Sequence, residues 1–159
     1  MNVRIGQGFD VHAFAQNRKL ILGGIAIPYH LGLAGHSDAD VLIHAICDAL
    51  LGAASLGDIG HHFPDTDPRF KGADSKLLLS EVGKLLATSG WKIGNIDATM
   101  VAEQPKLNPH IPQMKEVIAE ILHVEQGQVS LKATTSEQLG FVGRAEGMAV
   151  HAVALIFKD

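Results

Sequence analysis

A helix that is apolar on nearly every side constrains the fold of this 159-residue chain more than any other feature. Behind a polar start at Ser37, apolar residues recur with helical spacing over Val41–Ala53, and Gly57 lies beyond the predicted end. A helix without a broad polar face must be covered on all sides by other elements. Its polar members form one stripe at i, i+4 spacing: Asp40, His44 and Asp48.

The remaining patterns predict strands and two further helices around this element. Helical spacing recurs at 77–86, behind Asp74 or Ser75, and at 114–122, behind Pro112. Short or alternating apolar runs predict the strands: 3–12, 20–27, 96–103, 129–133 and 148–157. The segment after Thr134 is predicted to be a glycine-containing loop.

Composition excludes several classes of protein. Apolar residues make up 47% of the chain and charged residues 19%, which predicts a globular domain of ordinary size. The net charge is −4 and no Lys/Arg-rich run occurs, so nucleic acid is not the expected partner. No apolar stretch is long enough to cross a bilayer and no signal peptide is recognisable, so we expect no membrane partner. Cys47 is the single cysteine, which excludes an intrachain disulfide and fits a cytoplasmic location.

The first candidate for chemistry is a metal site. Asp10 and His12 lie two residues apart on a predicted strand, so both project from one face and could bind zinc. An exposed or capping pair is the alternative. A third ligand is required, and His44 on the apolar helix is the best candidate. The alternative is a core histidine bonded to Asp40 or Asp48, and these aspartates would equally serve as acceptors behind a metal-bound ring.

Three further segments suggest a phosphate site. Residues 35–38 precede the apolar helix, where they could bind an anion or simply cap the helix. Carboxylates in the Gly/Pro/Asp-rich loop at 57–68 are expected to be accessible, which an ordinary solvated loop would explain equally well. Hydroxyls and Glu137 within 134–144 suit phosphate oxygens and Mg²⁺. No Ser-His-Asp or Cys-His nucleophile is recognisable, so the sequence indicates metal-assisted phosphate chemistry.

Several ordered motifs together resemble the 2-C-methyl-D-erythritol 2,4-cyclodiphosphate synthase family. They are RIGQGFDVH at 4–12, HSDADVLIH at 36–44, FPDTD at 63–67, AEQPK at 102–106, HIPQM at 110–114 and the segment 132–147. The chain departs from the family pattern at Gln7, at Leu107-Asn108 and at Ser136, none of which removes a candidate ligand.

The resemblance implies an α+β fold, with a mixed β-sheet covered by helices on one face. It implies one domain over residues 1–159, assembling as a homotrimer around packed sheets with each active site shared between subunits.

The resemblance also assigns cofactors and residues. Asp10, His12 and His44 are expected to bind Zn²⁺, and Glu137 a second ion, Mg²⁺ or Mn²⁺. His36 and Thr135 are the implied catalytic residues, as stabilisers of the transition state. The residues implied to contact the substrate are Asp10, His12, His36, Ser37, Asp58, Gly60, Asp65, Ala102, Lys106, Leu107, Asn108, Thr134, Thr135, Glu137, Phe141 and Arg144.

The implied reaction is an intramolecular cyclisation of a cytidine diphosphate substrate with loss of CMP. Two alternatives remain open on the sequence. One is a zinc phosphohydrolase, which would release inorganic phosphate, and the other is a nucleotide-binding protein without activity, whose histidines are structural.

Overall fold

The computed structural model describes residues 2–159. Its strands are β1 Asn2–Ala15, β2 Leu20–Leu22, β3 Ile25–Ile27, β4 Gly32–Leu33, β5 Lys92–Val101, β6 Val129–Thr134 and β7 Gly147–Lys158. Its α-helices are α1 Val41–Ala53, α2 Ile59–His62, α3 Ser75–Thr88, α4 Ile111–Leu122 and α5 Gly140–Gly143. Short 3-10 turns occupy Pro68–Phe70, Asn108–His110 and Gln126–Gln128.

The main sheet has five strands in the order β4-β1-β7-β5-β6. β5 and β6 run parallel, whereas the other neighbouring strands are antiparallel. The sheet is therefore mixed, and the α+β class expected from the resemblance is confirmed. The predicted first strand was too short, because β1 pairs with β7 from Asn2 opposite Lys158 to Ala13 opposite Gly147.

The predicted strand at 20–27 is wrong, because it is two strands. β2 and β3 form a separate antiparallel pair, with Leu22 opposite Ile25. Gly23 and Gly24 have φ of 59° and 77°, so both central residues of the turn lie in the left-handed region. Two glycines in this conformation close a tight hairpin whose twist matches that of its strands.

The three long helices were located correctly from the sequence. Asp40 caps α1 and Asp74 caps α3, each accepting a backbone N–H of the first turn, and Pro112 lies in the first turn of α4. The single-turn helices α2 and α5 fall in segments predicted to be loops. Each is four residues long, too short for an apolar period to be recognised.

Helix α1 lies directly on β1 in the centre of the molecule. Eleven of its residues are buried, as its composition predicts. A Cβ atom at Gly8 would lie 1.9 Å from the carbonyl oxygen of Ala45, and one at Gly6 would lie 2.1 Å from that of Ala49. Only glycine allows the two backbones to approach this closely.

The opposite face of the sheet carries apolar side chains that residues 2–159 leave uncovered. Exposure alternates along β1, as expected for a strand with one face packed and one face open. The exposed large apolar residues on this face are Val3, Ile5, Phe9 and Val11 on β1 and Val153 on β7. Apolar residues clustered in this way mark an interaction surface.

Candidate functional site

Three predicted metal ligands converge where β1 meets α1. Asp10 and His12 project from β1 toward the helix, and the contact between Gly8 and Ala45 places His44 beside them. Asp10 Oδ2 lies 3.0 Å from His12 Nε2 and 3.1 Å from His44 Nδ1, and the two ring nitrogens are 3.3 Å apart. The structure thus brings together the carboxylate and both imidazoles.

The hydrogen bonding of His12 determines what this cluster can bind. Its Nδ1 lies 2.6 Å from the carbonyl oxygen of Ala34. Since a carbonyl can only accept, Nδ1 carries the hydrogen, and a neutral ring presents an unprotonated Nε2 to Asp10 and His44. An acceptor nitrogen and a carboxylate oxygen repel each other unless a cation lies between them. One carboxylate with two imidazoles is a ligand set that suits zinc, with room for a further ligand.

The electrostatics of the cluster also favour a cation. Burial alone would raise the pKa of Asp10, but hydrogen bonds and charge attraction from His12 and His44 lower it to about 2. Burial would lower the pKa of His12, yet the hydrogen bond and the charge of Asp10 raise it above its ordinary value. Without a metal, the site therefore favours a shared proton in the position that a metal ion would take.

The sequence predicted that Asp40 or Asp48 would hydrogen-bond to the His44 ring, whether or not that ring binds a metal. This prediction is wrong. Asp40 turns back to the helix end and the glycine hairpin, where it accepts N–H bonds from Ile43, Gly23 and Gly24 at 2.7–3.0 Å. Asp48 accepts the Ile59 N–H at 2.8 Å. Over residues 2–159, neither carboxylate is hydrogen-bonded to the His44 ring. Burial raises the pKa of Asp40 to about 6 despite these N–H bonds.

The segment before α1 is held by Arg18. Its guanidinium donates to the carbonyl oxygens of Gly35 and Ser37 at 3.0 and 2.8 Å. His36 is exposed and Ser37 half-buried, and both line the cleft in front of the metal cluster. Neither Ser37 nor Asp38 is the N-cap that the sequence allowed as an alternative, because Asp40 takes that position.

The first cleft has a volume of about 360 Å³ and contains the metal cluster. Of the predicted contacts, Gly60 and Asp65 line it together with His36 and Ser37. Asp58 is instead the N-cap of α2, where it accepts the His61 N–H at 2.9 Å. Sequence reasoning missed the apolar wall of the cleft: Ile59, Phe63, Phe70 and Leu78. Ile59 and Phe63 lie within the Gly/Pro/Asp-rich loop and Phe70 just after it, so that loop could have indicated them, whereas Leu78 belongs to α3.

A second, smaller cleft of about 110 Å³ contains six more of the predicted contacts. These are Ala102, Lys106, Leu107, Asn108, Thr134 and Thr135. Leu107 lines this cleft, but the residue is only 3% exposed and belongs to the core. Glu103, Pro105 and Ala133 also line the cleft and were not predicted.

Glu103 anchors the turn that carries Glu137. One of its carboxylate oxygens accepts the backbone N–H groups of Ser136 and Gln138 and the Ser136 hydroxyl, at 3.0–3.2 Å. Burial would raise the pKa of Glu103, but these hydrogen bonds lower it below its ordinary value. Glu137 is exposed with a φ of 54°, and its carboxylate accepts the Thr135 hydroxyl at 3.2 Å. Within 2–159, no other His, Cys, Asp or Glu joins Glu137 in a three-ligand cluster.

Besides Asp58 and Glu137, two predicted contacts line neither of the clefts formed by residues 2–159. Phe141 is exposed on α5. Arg144 follows that helix, and its guanidinium forms an exposed ion pair with Glu146 at 2.9 Å. The structure does not bring either residue to the metal cluster.

The two clefts share one end of the sheet but have no lining residue in common. Across the sheet, Asp10 on β1 lies opposite Val150 on β7, which in turn lies opposite Met100 on β5. Two strand spacings, about 10 Å, therefore separate the backbone of the metal cluster from the start of the second cleft. The residues predicted to contact one substrate are thus divided between two clefts within a single chain.

Comparison with known proteins defines the class. A match to the YgbB family covers residues 3–157. The 2-C-methyl-D-erythritol 2,4-cyclodiphosphate synthase of Pseudomonas fluorescens is 62% identical over 154 residues, which cover 97% of this chain and 98% of that protein. The chain belongs to the YgbB family.

Solved structures agree with this assignment. The bifunctional IspDF from Campylobacter jejuni superposes with a TM-score of 0.94 at 45% identity, covering 97% of this chain and 42% of that longer one. IspF from Plasmodium falciparum, solved as a CDP complex, has a TM-score of 0.87 at 31% identity, covering 99% and 98% of the two chains. In the part of the chain that the structure describes, no helix is both long and apolar enough to span a membrane.

Proposed function

We propose that this protein is a phosphorus–oxygen lyase that cyclises 4-diphosphocytidyl-2-C-methyl-D-erythritol 2-phosphate to 2-C-methyl-D-erythritol 2,4-cyclodiphosphate and releases CMP, in non-mevalonate isoprenoid biosynthesis. The observation that carries the proposal is the convergence of Asp10, His12 and His44 in a cleft, on a chain whose relatives are named for this product. The CDP complex of the Plasmodium falciparum structure supports a cytidine nucleotide as the ligand.

The reaction needs no nucleophile from the protein. An oxygen of the 2-phosphate attacks the β-phosphorus and forms the new P–O bond, while the bond from that phosphorus to the bridging oxygen breaks. CMP leaves with the bridging oxygen and its electron pair. Since the attacking and attacked groups belong to one molecule, the task of the site is to fold the substrate so that they meet in line.

Two cations are part of the proposal. Asp10, His12 and His44 would hold Zn²⁺, and Glu137 would be the protein ligand of Mg²⁺ or Mn²⁺. When bound, these ions supply positive charge that offsets the repulsion between the attacking phosphate and the diphosphate.

The remaining groups bind and orient the substrate. His36 and Thr135 are proposed to stabilise the transition state, and the imidazole of His36 is exposed at the rim of the first cleft, where a phosphate could reach it. Ser37, Asp65 and Gly60 would contact the methylerythritol and sugar hydroxyls. The backbone of residues 102–108 would recognise cytosine, since the buried Leu107 side chain fixes that loop.

The test is incubation of the purified chain with this substrate and Mg²⁺, followed by identification of the products. We expect CMP and the cyclic diphosphate in equal amounts. Release of inorganic phosphate would identify a phosphohydrolase instead. Intact substrate after incubation with both metals would indicate a binding protein.

The second ion has its own test. Glu137→Gln keeps the size of the side chain but removes its charge, so we expect activation by added Mg²⁺ to be lost while zinc stays bound. Titration of activity with Mg²⁺, beside zinc analysis of the same sample, measures both. A response to Mg²⁺ equal to that of the unmodified protein would assign the ion to another group.

The uncovered sheet face supports a homotrimer of single-domain subunits, each formed by residues 1–159. Packing of copies through this face would remove Ile5, which is 72% exposed, and its apolar neighbours from water. Ile5→Glu is expected to dissociate the trimer in sedimentation experiments. Leu77→Glu is the matched control, because Leu77 is 66% exposed on α3, away from the sheet face. Equal masses for both variants would contradict this surface.

Division of the site between two clefts supports active sites shared between subunits, and mixing experiments test this idea. His44→Ala impairs the first cleft and Glu137→Gln the turn beside the second. If neighbours contribute different halves, trimers reassembled from the two variants contain some sites with both halves intact. We expect mixing to restore part of the activity. No recovery in confirmed mixed trimers would mean that each chain forms its own site.

We also propose a cytoplasmic location, which the single, buried Cys47 thiol supports.

A further inference from the structure

The ring of His44 has a second set of partners behind the metal cluster. Its Nδ1 faces Asp10, while its Nε2 lies 3.0 Å from the Ser75 hydroxyl oxygen and 3.2 Å from that of Ser37. Ser75 is the first residue of α3 and is completely buried. It comes from an element that contributes no metal ligand, so neither the sequence motifs nor the proposed reaction accounts for its contact with His44.

The hydrogen of the Ser75 hydroxyl is committed to Asp38. The hydroxyl donates to Asp38 Oδ1, and the Ser75 backbone N–H donates to Asp38 Oδ2 at 2.9 Å. Asp38 Oδ1 also accepts the Asp40 N–H at 3.1 Å. Because both oxygens of Asp38 face N–H donors, this carboxylate acts as an acceptor toward Ser75.

This arrangement favours one tautomer of His44. A hydroxyl has one hydrogen, and Ser75 uses it toward Asp38, so the same oxygen can only accept from His44. Ser75 therefore favours hydrogen on Nε2 over hydrogen on Nδ1, where Asp10 Oδ2 at 3.1 Å is the competing acceptor. With hydrogen on Nε2, Nδ1 is unprotonated and directed at Asp10 and His12. Ser37 does not provide the same constraint, because its oxygen accepts the Ala39 N–H at 3.1 Å and, among the described residues, no carboxylate accepts its hydroxyl hydrogen.

We propose that Ser75 and Asp38 form a hydrogen-bonded relay that holds His44 in the tautomer able to bind a metal, which makes both of them positioning residues for the centre formed with Asp10 and His12. The inference rests on the metal site proposed above. It leaves the Ser37 hydroxyl free for the substrate, since Ser75 alone satisfies the Nε2–H group.

Zinc affinity of the full chain, measured by competition with a chelator, tests the relay. Ser75→Ala removes the acceptor but keeps the backbone bond to Asp38, so α3 remains anchored. We expect zinc to bind 10–100-fold more weakly, as is typical when the partner of a metal-bound histidine is lost. Ser80→Ala is the matched control on the same helix, and Ser37→Ala removes the rival partner. Both should stay within about threefold of the unmodified protein.

The tautomer itself provides a readout independent of metal. In metal-free protein at about pH 8, above the ordinary His range, ring-nitrogen NMR should show hydrogen on Nε2 of His44. Ser75→Ala should populate both tautomers. A purely structural role for Ser75 would lower thermal stability without changing tautomer or zinc affinity. Hydrogen on Nδ1 in the unmodified protein would overturn the relay, as would Ser75→Ala binding zinc as tightly as Ser80→Ala.

His44→Ala separates failure of the relay from failure of the metal site. If this variant binds zinc normally, the metal site itself is wrong. If zinc binding depends on His44 but is insensitive to Ser75→Ala, only the relay is wrong.

Discussion

The two clefts are built by opposite means. The first places side chains from two packed elements, β1 and α1, around a point where three acceptors meet. The second is lined by residues of one continuous loop, 102–108, and by the adjoining residues 133–135, and Glu103 bonds this loop to the turn that follows. The first therefore depends on rigid packing behind its side chains, whereas the second depends on local backbone conformation.

This difference predicts how each region responds to change. Converging acceptors repel one another without a cation, so the first cleft should be sensitive to metal, pH and any shift of α1. Backbone recognition is independent of most side chains, so the second should tolerate substitution but not a change in loop length.

Gly8→Ala should have the largest effect, because it disrupts the packing of α1 on β1 beneath the first cleft. The new Cβ would lie 1.9 Å from the Ala45 carbonyl oxygen, so α1 must move away from β1 and take His44 with it. We expect a loss of stability of about 3 kcal/mol and loss of bound zinc. Thermal unfolding and metal analysis measure both. Gly127→Ala is the control, because its Cβ would meet nothing within 4 Å. Equal stability of the two variants would show that β1 and α1 can separate without damage.

His44→Ala should leave the fold intact but remove zinc and most activity. We expect a loss beyond the 10–100-fold that is typical of residues behind a metal ligand. Zinc content and the rate of CMP release are the measurements, and His30→Ala, at an exposed histidine, is the control. Stoichiometric zinc with normal turnover in His44→Ala would remove this residue from the ligand set.

The parts of the site that could be predicted from the sequence are those set by local spacing along β1 and α1. Asp10 and His12 could be predicted as a pair because strand periodicity fixes which side chains share a face. His44 could be predicted because an imidazole on an apolar helix is unusual. The long helices could likewise be predicted from their capping residues and the helical spacing of their apolar residues.

Tertiary contacts could not be predicted in this way. The stripe suggested Asp40 and Asp48 as partners of His44, yet Asp40 satisfies the helix end and the hairpin, and Ser75 arrives from a helix 31 positions away. Nothing in local spacing marks Ser75. The same limit applies to Leu107, whose motif position suggested ligand contact although its side chain belongs to the core.

The first cleft of the metal-free protein should show a pH-dependent stability that Asp10→Asn removes. Asp10 has its pKa lowered from 3.8 to about 2, so its contribution is present above 3.8 and lost as pH falls toward 2. His12 has its pKa raised from 6.5, so its contribution is present below 6.5 and lost as pH rises through the higher value. We expect the variant to be less stable by up to about 2 kcal/mol between these limits. Urea unfolding with a chelator, from pH 3 to pH 9 in steps of about one unit, measures the difference. A difference that does not vary with pH would contradict the shared proton.

The smallest effect is expected at Asn108, an exposed side chain on the second cleft. If the backbone of residues 102–108 recognises cytosine, Asn108→Ala should change CDP affinity by no more than about threefold. Preference for CDP over UDP should persist, because uracil presents a carbonyl acceptor where cytosine presents an amino donor. A backbone carbonyl placed for that donor would be left unpaired against uracil, at a cost of about 1–3 kcal/mol. Calorimetry with both nucleotides, on the unmodified protein and the variant, measures the preference. Its loss in Asn108→Ala would mean that a side chain reads the base, and the contrast between the two clefts would then fail.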